Sequence, residues 1–219
     1  MHSRPDPAGL PRRLSHVYWI GGSSGSGKST AARRLAARYG LGVYDTDAAM
    51  PDHARRLPAD TAPRLSRFAA MDMDDRWVNR TPHEMLQTFH WYHGEGFEQI
   101  IADLLRLPAD RPVVAEGFRL LPELVKPLLA DQHRAVWLLG SPSLRKAVFD
   151  ARGGTGWGFI AKTSDPRRAL DNLLQRDAMF TDRLARQTTE LGLTALATTT
   201  DSSEEDFVRQ IAATLGLDR

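Results

Sequence analysis

The sequence predicts an α/β fold: a five-stranded parallel sheet with helices on both faces. Three observations point to it. Short apolar runs alternate with helix-patterned stretches along the chain. Those runs are apolar without a break, which suits strands covered on both sides. A Gly-rich segment, GSSGSGKS at 22–29, lies between the first apolar run and the first helical stretch.

The elements follow in order. Val17–Ile20 reads as the first strand, and 28–39 as a helix with Ala32, Leu35 and Ala36 on one face. Val43–Tyr44 opens a short second strand that ends near Asp45. Val113–Ala115, after Pro112, is the third; Ala135–Leu139 is the fourth; Thr194–Ala197 is the fifth. Helix starts are marked by capping side chains. Thr81-Pro82-His83-Glu84 is a capping box with Pro at the first helical position. Ser141-Pro142 and Asp165-Pro166 place a capping side chain before Pro, and Ser203 precedes three acids that favour the positive end of a last helix. Two segments interrupt the alternation. The stretch 48–110 is far longer than one crossover helix needs and reads as a helical insertion. The segment 152–168 begins Gly-rich, with a Trp, and reads as a mobile lid.

Length and composition bound the remaining choices. A chain of 219 residues suits one domain, here 15–219, preceded by a polar, Pro-rich stretch at 1–14 that reads as a disordered arm. There is no cysteine, which excludes disulfides and thiolate chemistry. No apolar run is long enough to span a bilayer and no signal-peptide pattern opens the chain, so the expected location is cytoplasmic, with no membrane partner. Net charge is +2, and acidic residues are interspersed among the basic ones. A nucleic-acid partner would call for a basic run interleaved with aromatics, and none is present. The basic residues are nearly all Arg, which fits either coding bias or bidentate phosphate contacts.

The segment 22–29 satisfies G-x-x-x-x-G-K-[ST]. Its glycines allow backbone N–H groups to wrap a phosphate, and the helix that follows aims its positive end at the same anion. Gly22, Ser23, Ser24, Gly25, Ser26 and Gly27 would form the cradle. Lys28 would reach the β- and γ-phosphates, Ser29 would ligate Mg²⁺, and Thr30 would approach the α-phosphate. The expected ligands are therefore ATP and Mg²⁺.

Catalysis needs acids as well. Asp45-Thr46-Asp47 falls at the end of the second strand and Glu116-Gly117 at the end of the third. Strand C-terminal ends form the ligand crevice of open α/β sheets, so these acids are expected beside the loop. Asp45 and Asp47, two apart, would share a face if the strand continued through them. Both are also good helix caps before 48–50.

With these residues the chain resembles the P-loop small-molecule kinases. VYDTDAAM is similar to the D-x-D segment of shikimate and gluconate kinases, and VVAEGF to the strand-end Glu-Gly of uridine kinase and phosphoribulokinase. The five-strand layout matches that superfamily too. The resemblance implies that Asp45 serves the metal together with Ser29, that Glu116 serves the metal or phosphate, and that Asp47 meets the acceptor hydroxyl. It also implies that the polar loop ATTTDSSEED passes near the adenine. Shikimate kinases carry Gly-Gly where this chain has Glu-Gly, and the 48–110 stretch matches no acceptor site of the superfamily.

Phosphoryl transfer also needs cationic clamping. Arg152, Arg167 and Arg168 flank the Gly-rich segment; Arg168, Asn172 and Arg176 recur every four residues and share a helix face. Arg152 and Arg176 are the favoured clamps, against a reading of each as a solvated charge. In the insertion, Trp91, Tyr92, His93 and Glu95 are candidates to line an acceptor pocket, with Arg76 and Arg80 as further candidates for substrate contact. His90 and His93 make a weaker case for zinc. The expected function is transfer of the γ-phosphate of ATP to a small-molecule acceptor. The rival expectation is a nucleotide-dependent switch or partner-regulated NTPase.

Overall fold

In a computed structural model, the described residues are 9–199 and 203–218. Five strands, β1 Val17–Gly22, β2 Gly42–Asp45, β3 Val113–Glu116, β4 Ala135–Gly140 and β5 Ala195–Thr198, form one parallel sheet in the order β2-β3-β1-β4-β5. Eleven α-helices accompany them among the described residues. They are α1 Leu10–Arg13, α2 Lys28–Tyr39, α3 Met50–Arg56, α4 Pro63–Ala70, α5 Met73–Trp77, α6 Pro82–Thr88, α7 Phe97–Leu104, α8 Pro122–Val125, α9 Pro142–Ala151, α10 Pro166–Glu190 and α11 Glu204–Thr214. Among those residues, no helix is long and apolar enough to cross a membrane.

Strand alternation sorts the sheet residues onto two faces. Val17, Trp19, Ala115, Ala135 and Trp137 pack on one side with Ile100, Leu104, Phe180 and Leu184 from α7 and α10. Ile20, Val114, Val136 and Leu138 pack on the other with Ala32 and Leu35 of α2 and Val208 and Ile211 of α11. The central strands β1, β3 and β4 are almost wholly buried, as continuous apolar runs require. The edge strands are not. In β2, Val43 is exposed, and β5 is buried only at Thr198, so covering on both faces holds for the middle of the sheet alone.

The capping signals act as their chemistry predicts. Thr81 and Glu84 form the reciprocal box, and Ser141, Asp165 and Ser203 accept from backbone N–H groups of α9, α10 and α11. The 48–110 stretch is helical, running from α3 to α7 with a 3₁₀ turn at His90–His93. Within it, Asp72 caps α5, and Trp77 at the end of that helix is buried.

Two expectations need correction. Residues 9–14 are not a disordered arm, because α1 is followed by Leu14, which is buried in the core; residues 1–8 lie outside the described residues. The Gly-rich stretch after α9 is not a free loop. It makes two 3₁₀ turns, and Ile160 is fully buried in a third core cluster with Trp77, Met85, Phe149 and Leu173. Phe159 stacks on Trp77 with centroids 4.5 Å apart. An apolar pair inside a Gly-rich stretch thus anchors it.

Candidate functional site

Parallel register brings three strand ends to one edge. Glu116 is paired with Ile20 on one side and with Asp45 on the other, and Gly22 is paired with Leu138. The Gly22–Ser29 loop therefore leaves the sheet beside both acidic segments. Gly22 has φ 134°, and a Cβ there would lie 2.1 Å from the Leu138 carbonyl oxygen, so only glycine fits. Ser23 and Ser26 are fully buried and hold the loop from inside. The Ser26 hydroxyl donates to the Ser23 carbonyl at 2.8 Å, and the Gly140 N–H donates to Ser23 Oγ at 3.0 Å. Ser24, Gly25, Gly27, Lys28, Ser29 and Thr30 face a cavity of about 1100 Å³. The loop residues thus divide into a frame and a contact surface.

Helix α2 starts at this loop without a side-chain cap, leaving its first N–H groups for an anion. The Lys28 ammonium is folded back, donating to the Ser23 carbonyl at 2.7 Å. Burial pulls its pKa below the ordinary lysine value, opposed by Asp47, Glu116 and Asp177.

The acids occupy distinct places. Glu116 is 1% exposed, and its Oε2 has no hydrogen-bond partner among the described residues. Burial raises its pKa, with a bond from Ser29 and the charge of Lys28 opposing. Asp47 lines the cavity. Burial raises its pKa too, against Lys28 and with Asp45 adding to the rise. Asp45 Oδ1 accepts from the backbone N–H groups of Asp47 at 2.8 Å and Ala48 at 3.0 Å. Asp45 thus braces the 46–49 turn rather than capping α3, whose N-cap Ala49 has no side-chain bond, and its second carboxylate oxygen is not used by these bonds. The shared-face argument does not hold, because β2 ends at Asp45 and Asp47 sits in a turn. What brings Asp47 inward is Gly117, at φ 146°, where a Cβ would lie 1.7 Å from Thr46 Oγ1 and 3.1 Å from Asp47 Oδ1.

Arginines complete the site. Arg176 is 5% exposed and lines the cavity, bonded to Asp177 Oδ1 through Nε at 3.0 Å and through a terminal nitrogen at 2.7 Å. Its guanidinium lies over Phe89, Tyr92 and Trp77 at 4.7, 5.2 and 5.4 Å. Burial lowers its pKa, but Asp177 and Tyr92 outweigh that and leave it above the ordinary value. Arg152 is exposed at the rim, over Phe149 and Trp157. Arg167 and Arg168 are exposed and do not line the cavity, and Asn172 instead binds the carbonyls of Trp77, Val78 and Arg80. The four-residue stripe is thus partly structural. Arg76 lines the cavity, bonded to the carbonyls of Phe68 and Ala69, whereas Arg80 holds α5 and α6 together through Asp75, Arg76 and Thr88.

Of the pocket candidates, Trp91 and Tyr92 line the cavity, and His93 and Glu95 do not. Glu95 caps α4, accepting from the N–H groups of Arg64 at 2.9 Å and Leu65 at 2.8 Å. Among the described residues no cluster of three or more His, Cys, Asp or Glu could hold a metal, so a zinc site at His90 and His93 has no support there. A second cavity, about 220 Å³, opens on the other side of the loop between Gly25, Leu144, Thr198 and Phe207. The loop expected near the adenine borders it at Thr198 and Glu204, and its residues 200–202 lie outside the described residues.

Sequence reasoning missed Arg119. It is buried, stacks over Trp91 at 4.0 Å and donates to the carbonyls of Thr46 at 3.3 Å and Gly96 at 3.2 Å. It thereby ties the turn carrying Asp47 to the insertion. It also donates to His53 Nδ1 at 2.9 Å, which leaves His53 Nε2 to donate to Asp103 at 2.7 Å. Burial lowers the pKa of Arg119 to about 10. An Arg inside the apolar run FRLL was the available signal. The chain matches no family model and no curated protein.

Proposed function

We propose that this chain is an ATP-dependent phosphotransferase that moves the γ-phosphate to a hydroxyl of a small molecule. One observation carries the reading. An uncapped helix start, a buried lysine and Asp47, a carboxylate of raised pKa, line one large cavity, and a second such carboxylate, Glu116, is buried behind them against Ser29. Perturbed ionisable groups gathered in a cleft favour a working site over a structural one.

The residues suit the expected ligands. The loop N–H groups and Lys28 would hold the phosphates, with Lys28 exchanging the Ser23 carbonyl for phosphate oxygens. The smaller cavity beyond Gly25 suits a nucleoside base, and the larger suits the acceptor. Ser29 and the unpartnered Glu116 oxygen are hard oxygen donors, as Mg²⁺ prefers, and one or two such protein ligands suffice when phosphates supply others. Bound there, Mg²⁺ would neutralise phosphate charge. Asp45 holds the turn that presents Asp47, so its role is positioning first. Asp47 would take the acceptor proton as the acceptor oxygen bonds to the γ-phosphorus and the bond to the ADP oxygen breaks. Arg176 and Arg152 would clamp charge on the cavity side. The 152–168 stretch, anchored at the buried Ile160, would then hold Arg152 at the cavity, and the insertion would act as the acceptor-binding region.

The test is ADP release from MgATP against a panel of hydroxyl compounds, with Lys28→Ala as control. A compound that stimulates release in the parent and not in the variant supports the reading. ATP binding without stimulation by any compound, but with stimulation by a protein partner, would replace it with the switch.

A further inference from the structure

The wall of the large cavity away from the loop is aromatic. Phe68, Trp77, Phe89, Trp91, Phe118 and Phe159 all line it. They come from distant segments, yet five of them, Phe68, Trp77, Phe89, Phe118 and Phe159, already touch. Phe68 meets Trp77 edge-on at 5.8 Å and Phe89 at 5.5 Å, Trp77 stacks on Phe159, and Phe89 stacks on Phe118 at 6.4 Å. Trp77 and Trp91 are nearly buried behind Phe159, Arg176 and Arg119, while the half-buried Phe68, Phe89, Phe118 and Phe159 offer preformed ring surface at low ordering cost.

The charges in the same cavity are unbalanced. Arg33, Arg76, Arg152 and Arg176 line it with Lys28, against Asp47 and Asp177. Asp177 is engaged by Arg176, and Asp47 lies at the loop end. His90, also in the wall, is kept neutral by burial, with Arg119, Arg176 and Arg76 adding to the effect and its pKa lowered to about 3. With Lys28, Arg152 and Arg176 assigned to phosphate charge, Arg33 and Arg76 remain, and a polycation would meet like charge there. A polyol or sugar acid would press most of its hydroxyl groups against rings that accept no strong hydrogen bond, leaving them unpaired. The volume, about 1100 Å³, exceeds the ordinary range for one ligand site, so space remains beyond a phosphate chain.

We propose that the large cavity takes a hydroxyl-bearing compound with a flat, mainly apolar body of two or more rings, uncharged or anionic. The rings stack on the aromatic wall, any anionic group turns to Arg76, and the hydroxyl faces Asp47. The inference deepens the phosphotransfer reading and rests on it for the hydroxyl's role, but its binding part is measurable alone.

Trp77, Trp91 and Trp157 line the cavity and report occupancy by fluorescence. The probes are a hydroxylated flavone, a hydroxyanthraquinone, gluconate and kanamycin, each titrated with and without MgATP and each also assayed for ADP release. Binding is checked by calorimetry to remove inner-filter artefacts. The expected result is a Kd for the two ring compounds at least about tenfold below those of gluconate and kanamycin. Phe159→Ala and Trp157→Ala should each weaken ring binding at least about threefold, and Trp157→Phe should restore it, with cooperative unfolding retained in all three. Equal binding of all four probes, tighter binding of gluconate or kanamycin, or no binding by the ring compounds would overturn the inference. Stimulation by gluconate or kanamycin alone would overturn it while leaving phosphotransfer in place. Ring binding without ADP release would uphold the cavity assignment and count against the phosphotransfer reading.

Discussion

On the sheet side of the Gly22–Ser29 loop, the site is made of backbone and a few charged groups at strand ends. On the helical side it is made of aromatic rings and arginines gathered from α4, α5, the segment 89–92 after α6, Phe118 after β3, α9, the 152–165 stretch and α10. The first half depends on short-range conformation: a positive φ at Gly22, an uncapped helix start, a bend at Gly117. The second depends on long-range packing, with Arg176 held among three rings and Asp177. Phosphate recognition is uniform chemistry and tolerates a contiguous cradle. Selecting one acceptor needs a wall shaped from several directions.

The largest expected effect separates the halves by function. Asp47→Asn should lower kcat by roughly 10²–10⁴-fold while leaving the KM for ATP within about threefold, because the loop that would hold ATP is untouched. Turnover close to the parent's would remove Asp47 from the chemistry and leave the sheet side as a binding site only. The acid limb of activity should also lie above the ordinary Asp range, since burial raises the Asp47 pKa, and rates should fall as pH drops through that value.

Next in size is Arg176→Ala. It strands the Asp177 carboxylate in a buried site and should cost about 3–5 kcal/mol, seen as a fall in Tm of roughly 10 °C. A stability loss under 1 kcal/mol would mean that the helical half is not anchored by this pair.

Glu116→Gln should do the opposite to stability. Burial raises the Glu116 pKa in the folded chain, so at neutral pH its ionised form opposes folding; that cost is absent below the ordinary carboxylate pKa and grows as pH rises through the raised one. The amide should therefore raise Tm by a few degrees at pH 7, with less gain at pH 4, while ADP release falls. A lower Tm at pH 7 would show that Glu116 is stabilised by its neighbours rather than strained.

The smallest effect belongs outside both halves. Glu205→Gln removes exposed pairs with Arg34 and Arg38 and should shift stability by less than about 0.5 kcal/mol in chemical denaturation.

The loop, all five strands to within a residue or two, and the caps at Thr81, Ser141, Asp165 and Ser203 were legible because each depends on neighbours in sequence. Asp45 and Asp47 were legible as strand-end acids, but their division of labour was not. It follows from the end of β2 and from the contact of Thr46 with Gly117. Glu95 looked like a pocket residue and proved to cap α4 across a gap in sequence that no local pattern crosses. Arg119 was visible only as an oddity in an apolar run, since its partners Thr46, His53 and Gly96 lie far upstream.

The sequence by itself determined the parallel α/β class, the Gly-rich loop between β1 and α2 and the strand-end acids, because backbone dihedrals, caps and hydrophobic period are local properties. Only the tertiary structure decided that Phe68, Trp77, Phe89 and Phe159 form one wall, that Arg176 is caged rather than solvated, and that Ile160 pins the Gly-rich stretch. Burial and cation–ring contact exist only once distant segments meet, and the free energy of that meeting is set by all of them together.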